Sequence, residues 1–263
     1  MRADKFFAEK FGSRTKAAEA IEKGLVLIAG KPIKPKTEVS ETDEITILEA
    51  QEQFVSNGGY KLEKALKTFG FDCENKVFAD IGASTGGFTD CLLQRGAAKV
   101  YAIDVGESLL HESLQNHDKI VRMENTNARY LTKEDFPEDL DGVVTDVSFI
   151  SLRLIFPAIQ SILKRDGHAF ALIKPQFECE KKHIGKSGIV TPSAHADIVK
   201  KVLSYLNDNG LYAHGIINAP IRKGKNIEYI LYIRPIWQGA KTEKEIIDLV
   251  KELVKKNSLG ELT

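Results

Sequence analysis

The sequence predicts an α/β protein: a doubly wound, Rossmann-like sheet preceded by a small α+β module. Three observations predict it. From about Lys61 onward, short apolar runs alternate with amphipathic stretches of helical period. One such run, Val77–Gly82, enters the small-residue turn Gly82-Ala-Ser-Thr-Gly86-Gly87 and then a helix. Residues 1–49 carry their own helix and strand signals but are too few for a large core, which marks an accessory module.

Each element follows from a local signal. Phe6, Phe7 and Phe11 predict a short helix. Ser13 caps a second one, Arg14–Lys23, which Gly24 stops. Leu25–Ala29 and the alternating Glu44–Leu48 read as strands, with a turn at Gly30-Lys31-Pro32. Residues 50–57 are polar and read as a linker, and residues 58–263 as the second domain. There the periodicity predicts helices at Lys61–Phe69, Gly87–Gly96, Ser108–Gln115, Leu152–Leu163, Ser193–Asn209 and Glu243–Lys256. Strands are predicted at Val77–Gly82, Lys99–Val105, Ile120–Asn125, Gly142–Asp146, His168–Lys174, Tyr212–Ala219 and Ile227–Arg234. Repeated β-α-β units imply a parallel sheet.

Composition narrows the function classes. Apolar residues make up 43% of the 263, which suits a globular protein with an ordinary core. No apolar run approaches the roughly 18 residues of a membrane span, and charges interrupt the N-terminal stretch, so a cytoplasmic protein is expected. The three cysteines lack metal spacing, and an odd number does not make a disulfide framework. No metal site is expected. Net charge is zero, with 37 basic and 37 acidic residues, which on its face argues against nucleic acid. But residues 1–36 hold nine Lys or Arg against four acids, so a local basic surface is available to a polyanion.

The Gly-rich turn carries the strongest chemistry. Asp80 precedes it, and Asp104 ends the next strand, where an acid meets ribose hydroxyls in this geometry. The spacing Gly82-x-x-x-Gly86-Gly87 matches neither the dinucleotide fingerprint nor a phosphate loop. Asp80 would repel a pyrophosphate but suits the cationic amino-acid moiety of S-adenosylmethionine. A methyl donor is therefore expected over a dinucleotide; a tight βα turn without a ligand is the competing reading.

Polar residues also cluster at the strand ends, the edge where ligands of open α/β sheets bind. Asp146 ends Val143-Val-Thr-Asp, Lys174 ends Ala171-Leu-Ile-Lys, Glu228 opens the last strand, and Lys61 follows Gly58-Gly59-Tyr60. Ribose O-methylation would use such a set, because a 2′-hydroxyl is a poor nucleophile. Lys174 is the candidate to orient or deprotonate it. Lys61 would lower the pKa of Lys174 through like charge, with Asp146 and Glu228 positioning it. Two structural salt bridges would explain the same four residues.

These residues resemble a known family. Lys61, Asp146, Lys174 and Glu228 resemble the Lys-Asp-Lys-Glu tetrad of the FtsJ-like ribose 2′-O-methyltransferases. Gly58–Ala65, Asp80–Asp90, Asp104-Val-Gly106, Thr145–Ser151 and Leu172–Glu178 look like the TlyA, or hemolysin A, branch. Ser13-Arg14, Ala17, Ile21, Gly24-Leu-Val-Leu and Gly30-Lys-Pro32 resemble its S4-type RNA-binding domain. Two positions depart from the pattern: Asn57 stands where the family usually has Arg, and Ala29 where it usually has Asn. The resemblance starts near the family's first position, so the small domain is short, which is expected to narrow the RNA sites accepted.

The resemblance implies a class I methyltransferase that methylates cytidine 2′-hydroxyls of 16S or 23S ribosomal RNA, or both, within an assembled subunit. A monomer in solution and no membrane partner are expected. S-adenosylmethionine would be held by Asp80, Gly82, Ser84, Thr85, Gly86, Gly87, Phe88, Asp104, Val105, Asn125, Asn127 and Asp146. RNA would be contacted by Arg2, Arg14, Lys16 and Lys31 in the small domain, and by Lys182, Arg222, Lys223 and Lys225 in loops near the tetrad. Trp237 reads as a C-terminal packing anchor or a base-stacking residue. The rivals are an RNA-binding assembly factor without turnover and a membrane-active hemolysin. A base methyltransferase is disfavoured, because neither an Asn-Pro-Pro-Tyr nor a catalytic-cysteine motif occurs.

Overall fold

The computed structural model describes residues 1–48, 53–220 and 224–260. The chain divides into two compact units, residues 1–53 and 54–263.

The N-terminal unit sets helices α1 (Ala3–Phe6) and α2 (Arg14–Glu22) on a three-stranded antiparallel sheet. Its strands are β1 (Val26–Ile28), β2 (Lys31–Pro32) and β3 (Ile45–Ile47), in the order β2-β1-β3. Ser13 caps α2 by accepting the Lys16 N–H at 3.2 Å. Ala3, Phe7, Ala17, Ile21, Val26 and Val39 form the core. Predicted as a turn, Lys31-Pro32 is instead strand, because the hairpin turns one residue earlier. Leu27 pairs with Pro32 and Ile28 with Lys31, leaving Ala29-Gly30 as a two-residue turn. Their φ values are +48° and +74°. Such a turn demands left-handed backbone at both positions, and an Asn-Gly pair adopts it most readily.

The C-terminal unit is built on a seven-stranded sheet in the order β6-β5-β4-β7-β8-β10-β9. The strands are β4 (Val77–Ile81), β5 (Lys99–Ile103), β6 (Ile120–Met123), β7 (Leu140–Thr145), β8 (Leu163–Ile173), β9 (Tyr212–Asn218) and β10 (Tyr229–Arg234). Its helices are α3 (Asn57–Phe69), α4 (Gly87–Gln94), α5 (Glu112–Gln115), α6 (Phe156–Ile162), α7 (Pro175–Glu178), α8 (His195–Asp208) and α9 (Glu243–Ser258). The period-two alternation of β4 divides its side chains. Phe78 joins a cluster with Leu62 and Leu66 of α3 and Leu92 of α4, while Ala79 and Ile81 join one with Phe156 of α6 and Leu203 of α8. The order reverses at β4, between β5 and β7, so a crevice opens beyond the strand ends there.

The sheet is mixed, where the β-α-β reading predicted a parallel one. β4 to β8 are parallel, but β10 runs antiparallel to both β8 and β9. The segment joining β9 to β10, residues 219–228, is too short for a crossover helix, so the strands form a hairpin. Trp237, expected as a packing anchor, is instead 75% exposed. No helix among the described residues is long and apolar enough to cross a membrane.

Candidate active site

Four of the strand-end residues meet. Asp146 follows β7, Lys174 follows β8, and Glu228 precedes β10. Thr145 pairs with Ala171 and Tyr229 with Ile173, so all three leave the sheet at one edge. Glu228 reaches that edge because β10 is reversed: its first residues lie beside the last residues of β8. Lys61 enters from α3, whose N-terminal turn lies tight against α4. A Cβ at Gly87 would come within 3.0 Å of the Gly59 nitrogen, and one at Gly59 within 2.3 Å of Phe54 Cγ. The glycines thus permit an approach that brings Lys61 over the sheet edge.

Lys61 Nζ donates to Glu228 Oε2 at 2.8 Å and to Asp146 Oδ2 at 3.4 Å. Lys174 Nζ lies 2.5 Å from Asp146 Oδ1 and donates to Ser148 Oγ at 2.6 Å. The four charged side chains are only 11–21% exposed. Charge therefore alternates along a half-buried array, Glu228–Lys61–Asp146–Lys174, and each member offsets the desolvation of its neighbour. One sequence expectation needs correction. Glu228 positions Lys61 rather than Lys174, because Lys61 lies between the two carboxylates. Ser148 was not singled out from sequence; the only signal was a hydroxyl two residues beyond Asp146.

The Gly-rich turn forms the floor of two adjoining cavities. A polar one of about 170 Å³ is lined by Ser56, Gly58, Asp80, Gly82, Ser84, Thr85, Gly87, Phe88, Asp146, Ser148 and Lys174. The N-terminal ends of α3 and α4 border it through Gly58 and Gly87. Asp80 is 1% exposed; its Oδ2 accepts the Thr89 hydroxyl at 2.6 Å, while Oδ1 is buried without a partner. Burial pushes its carboxyl up to about 7, against the Thr89 hydrogen bond, and the Asp146 charge adds to the rise. The second cavity, about 460 Å³, is mainly apolar and is lined by Ile81, Gly82, Asp104, Val105, Asn127, Ala128 and Ile155 among others. Asp104 accepts the Ser84 and Gly106 N–H groups, each at 2.9 Å. A carboxylate offers about four acceptor sites, so about half of them stay available.

Other predicted residues fall in differing places. Gly86, with φ +92°, forms the N-cap of α4, and a Cβ there would strike Leu114 at 2.5 Å. Asn127 lines the apolar cavity and accepts the Arg129 N–H at 3.2 Å. Asn125 is exposed and outside the lining of both cavities; its N–H bonds to the Gly106 carbonyl. Arg2 and Arg14 both pair with the buried Asp4, at 2.8 and 3.0 Å, and the Arg2 hydrogen bond is the largest influence holding that carboxyl low. Their side chains remain 42% and 59% exposed. Lys16, Lys31 and Lys225 are exposed, and Lys182 pairs with Glu180 at 2.9 Å. Arg222 and Lys223 lie outside the described residues.

Comparison with known proteins agrees with this construction. The family model described as FtsJ-like methyltransferase matches residues 54–234, and the S4 domain model matches residues 1–45. The 16S/23S rRNA (cytidine-2′-O)-methyltransferase TlyA of Mycobacterium tuberculosis is 40% identical over 246 residues, 92% of each chain. Hemolysin A of Brachyspira hyodysenteriae is 41% identical over 224 residues, 84% of this chain and 93% of that one. A solved Streptococcus thermophilus structure, also bearing the hemolysin name, superposes with a TM-score of 0.72 at 36% identity and covers 98% of both chains. The chain therefore belongs to the FtsJ-like methyltransferase family, in its S4-bearing TlyA, or hemolysin A, branch.

Proposed function

We propose that this chain transfers a methyl group from S-adenosylmethionine to the 2′-hydroxyl of cytidines in ribosomal RNA, 16S or 23S or both, presented in an assembled subunit. The observation that carries the reading is the Glu228–Lys61–Asp146–Lys174 array at the strand ends, beside a cavity floored by an unpartnered Asp80. The residues fit the donor. The buried, unsatisfied Asp80 Oδ1 wants a cation, which an α-ammonium supplies, and the helix starts at Gly58 and Gly87 favour a carboxylate. Asp104 has acceptor capacity for ribose hydroxyls, and the apolar cavity suits an adenine. When bound, S-adenosylmethionine supplies an electrophilic methyl group.

The chain's own groups do the rest. An ammonium has three N–H donors. Lys174 donates one to Ser148 and is ion-paired with Asp146, leaving an N–H to hold the 2′-oxygen with a lone pair free for attack. The hydroxyl proton becomes acidic as that oxygen gains its new bond; Lys174 passes one of its protons to the Asp146 carboxylate and takes up the hydroxyl proton, so the proton ends on Asp146 and Lys174 stays an ammonium. Lys61 and Glu228 keep Asp146 fixed. Arg2, Arg14, Lys16, Lys31, Lys182, Arg222, Lys223 and Lys225 supply cations for the RNA phosphates.

The test is transfer of labelled methyl from S-adenosylmethionine into small and large subunits from cells lacking this enzyme, followed by mapping of ribose methylation. Wild type should label one or both particles at cytidine 2′-oxygens. Lys174→Ala should lower kcat by about 10²–10⁴-fold, the range for a positioned proton-transfer group. No incorporation into either particle by protein that binds the cofactor would overturn the reading in favour of an assembly factor.

A further inference from the structure

A third cavity lies beyond the tetrad, built by the same two segments that present it. The chain after β7 runs from Asp146 and Ser148 to Ser151 and Arg153, and the chain after β8 runs from Lys174 through α7 to Phe177. The rings of Phe149 and Phe177 meet at 4.9 Å and tie the two segments together. Arg153, Phe177, Lys201 and Tyr205 line this cavity of about 310 Å³, with the last two supplied by α8. The Arg153 guanidinium carbon lies 5.8 Å from the Tyr205 ring centre, and Lys201 Nζ lies 5.9 Å from it. One ring thus gathers two like charges. Among the described residues, no carboxylate forms an ion pair with either cation. The nearby acid, Glu178, is 5% exposed and spends both oxygens inward, on the Ser151 hydroxyl at 2.6 Å and the Leu152 N–H at 2.7 Å. Lys201 also donates to the Glu178 carbonyl at 3.3 Å, which fixes its position.

Glu180, the other acid near Lys201, is paired with Lys182 at 2.9 Å. Two gathered cations whose neighbouring acids are engaged elsewhere are the complement of an anion. We propose that Arg153 and Lys201, spaced by Tyr205, bind a backbone phosphate of the RNA strand on a nucleotide flanking the methylated one. The subsite rests on the ribosomal RNA reading and sharpens it. It sets the register of the strand against Lys174, since α7, four residues and about 6 Å long, is all that separates Lys174 from this cavity.

The experiment measures binding and turnover separately. Arg153→Ala, Lys201→Ala and the charge-keeping Lys201→Arg are compared with wild type for salt-dependent binding to purified 16S and 23S ribosomal RNA, and for methyl transfer into both subunits. Each alanine variant should weaken binding about tenfold and lower the salt slope by about one. KM for the particle should rise, with kcat, S-adenosylmethionine affinity and thermal midpoint unchanged. Lys201→Arg should restore most of the loss. Wild-type methyl transfer together with unchanged affinity and slope in both alanine variants would overturn the subsite alone. Loss of affinity in the variants without any wild-type transfer would overturn the methylation reading and leave the subsite standing.

Discussion

At the scale of single residues, Asp80 carries the most unusual chemistry. A carboxyl that ordinarily titrates near 3.8 is raised to about 7, because burial strips away water and leaves Oδ1 unpartnered. The sign follows. Between about 4 and 7 the unfolded chain has lost this proton while the folded chain keeps it, so Asp80 makes stability fall as pH rises across that window. A bound ammonium reverses the preference by favouring the charged form. S-adenosylmethionine binding should therefore release the Asp80 proton and tighten as pH rises to about 7, then level off. Calorimetry from pH 5.5 to 8.5 checks this. Asp80→Asn should lose the slope and, at pH 8, bind about tenfold more weakly, as expected for one charged hydrogen bond. An unchanged slope in the variant would assign the pH dependence elsewhere. Residue chemistry of this kind was partly legible. The sequence put an acid before the turn, but only the fold shows that Thr89 satisfies one oxygen and nothing satisfies the other.

At the scale of elements, α3 decides whether Lys61 reaches the site. Its two glycines look alike in sequence but differ in surroundings. A Cβ at Gly59 would overlap Phe54, a ring 2% exposed, while one at Gly58 finds ordinary contacts of 3.4–3.6 Å. Gly59→Ala should cost about 1–3 kcal/mol by overpacking and lower kcat, since Lys61 follows two residues later on the same helix. Gly58→Ala should be neutral or stabilise by up to about 1 kcal/mol through helix propensity. Urea unfolding of both variants checks the contrast, and equal losses would mean that contact with Phe54 is not the reason for a glycine at position 59. The helix and strand periods of the large domain were readable because one face of each element is apolar. The reversed β10 was not: alternation reports which face is buried, not which direction a strand runs. It follows from the short β9–β10 connection, and with it comes the pairing of Glu228 to Lys61. Ala29 shows the converse. Its place in a two-residue turn explains, through backbone geometry, why Asn would suit that position.

At the scale of the whole molecule, the two units carry separate cores and separate chemistry. Ala3, Phe7, Ile21 and Val26 pack within residues 1–53, and the clusters of the large unit draw on residues from Phe54 onward. Every residue lining the two cavities at the Gly-rich turn lies in the large unit, as does the whole tetrad. Within the N-terminal unit, residues 1–36 hold nine cations against four acids, while residues 38–52 add six acids, so the unit is near neutral and its basic character is confined to the first 36 residues. One of those acids, Asp4, is shared by Arg2 and Arg14, whose side chains remain 42% and 59% exposed and can meet phosphates. A division of labour follows, with cofactor binding and chemistry in one unit and much of the RNA affinity in the other. A chain of residues 54–263 should bind S-adenosylmethionine within about threefold of the full chain, since all the lining residues remain. Its kcat/KM on ribosomal subunits should fall by at least about tenfold, with a shallower salt dependence, because phosphate contacts are lost. Calorimetry and a salt series of methyl transfer read the two quantities independently. Equal kcat/KM for the fragment and the full chain would remove RNA docking from the N-terminal unit. Weakened cofactor binding would instead mean that this unit helps to shape the methyl-donor site.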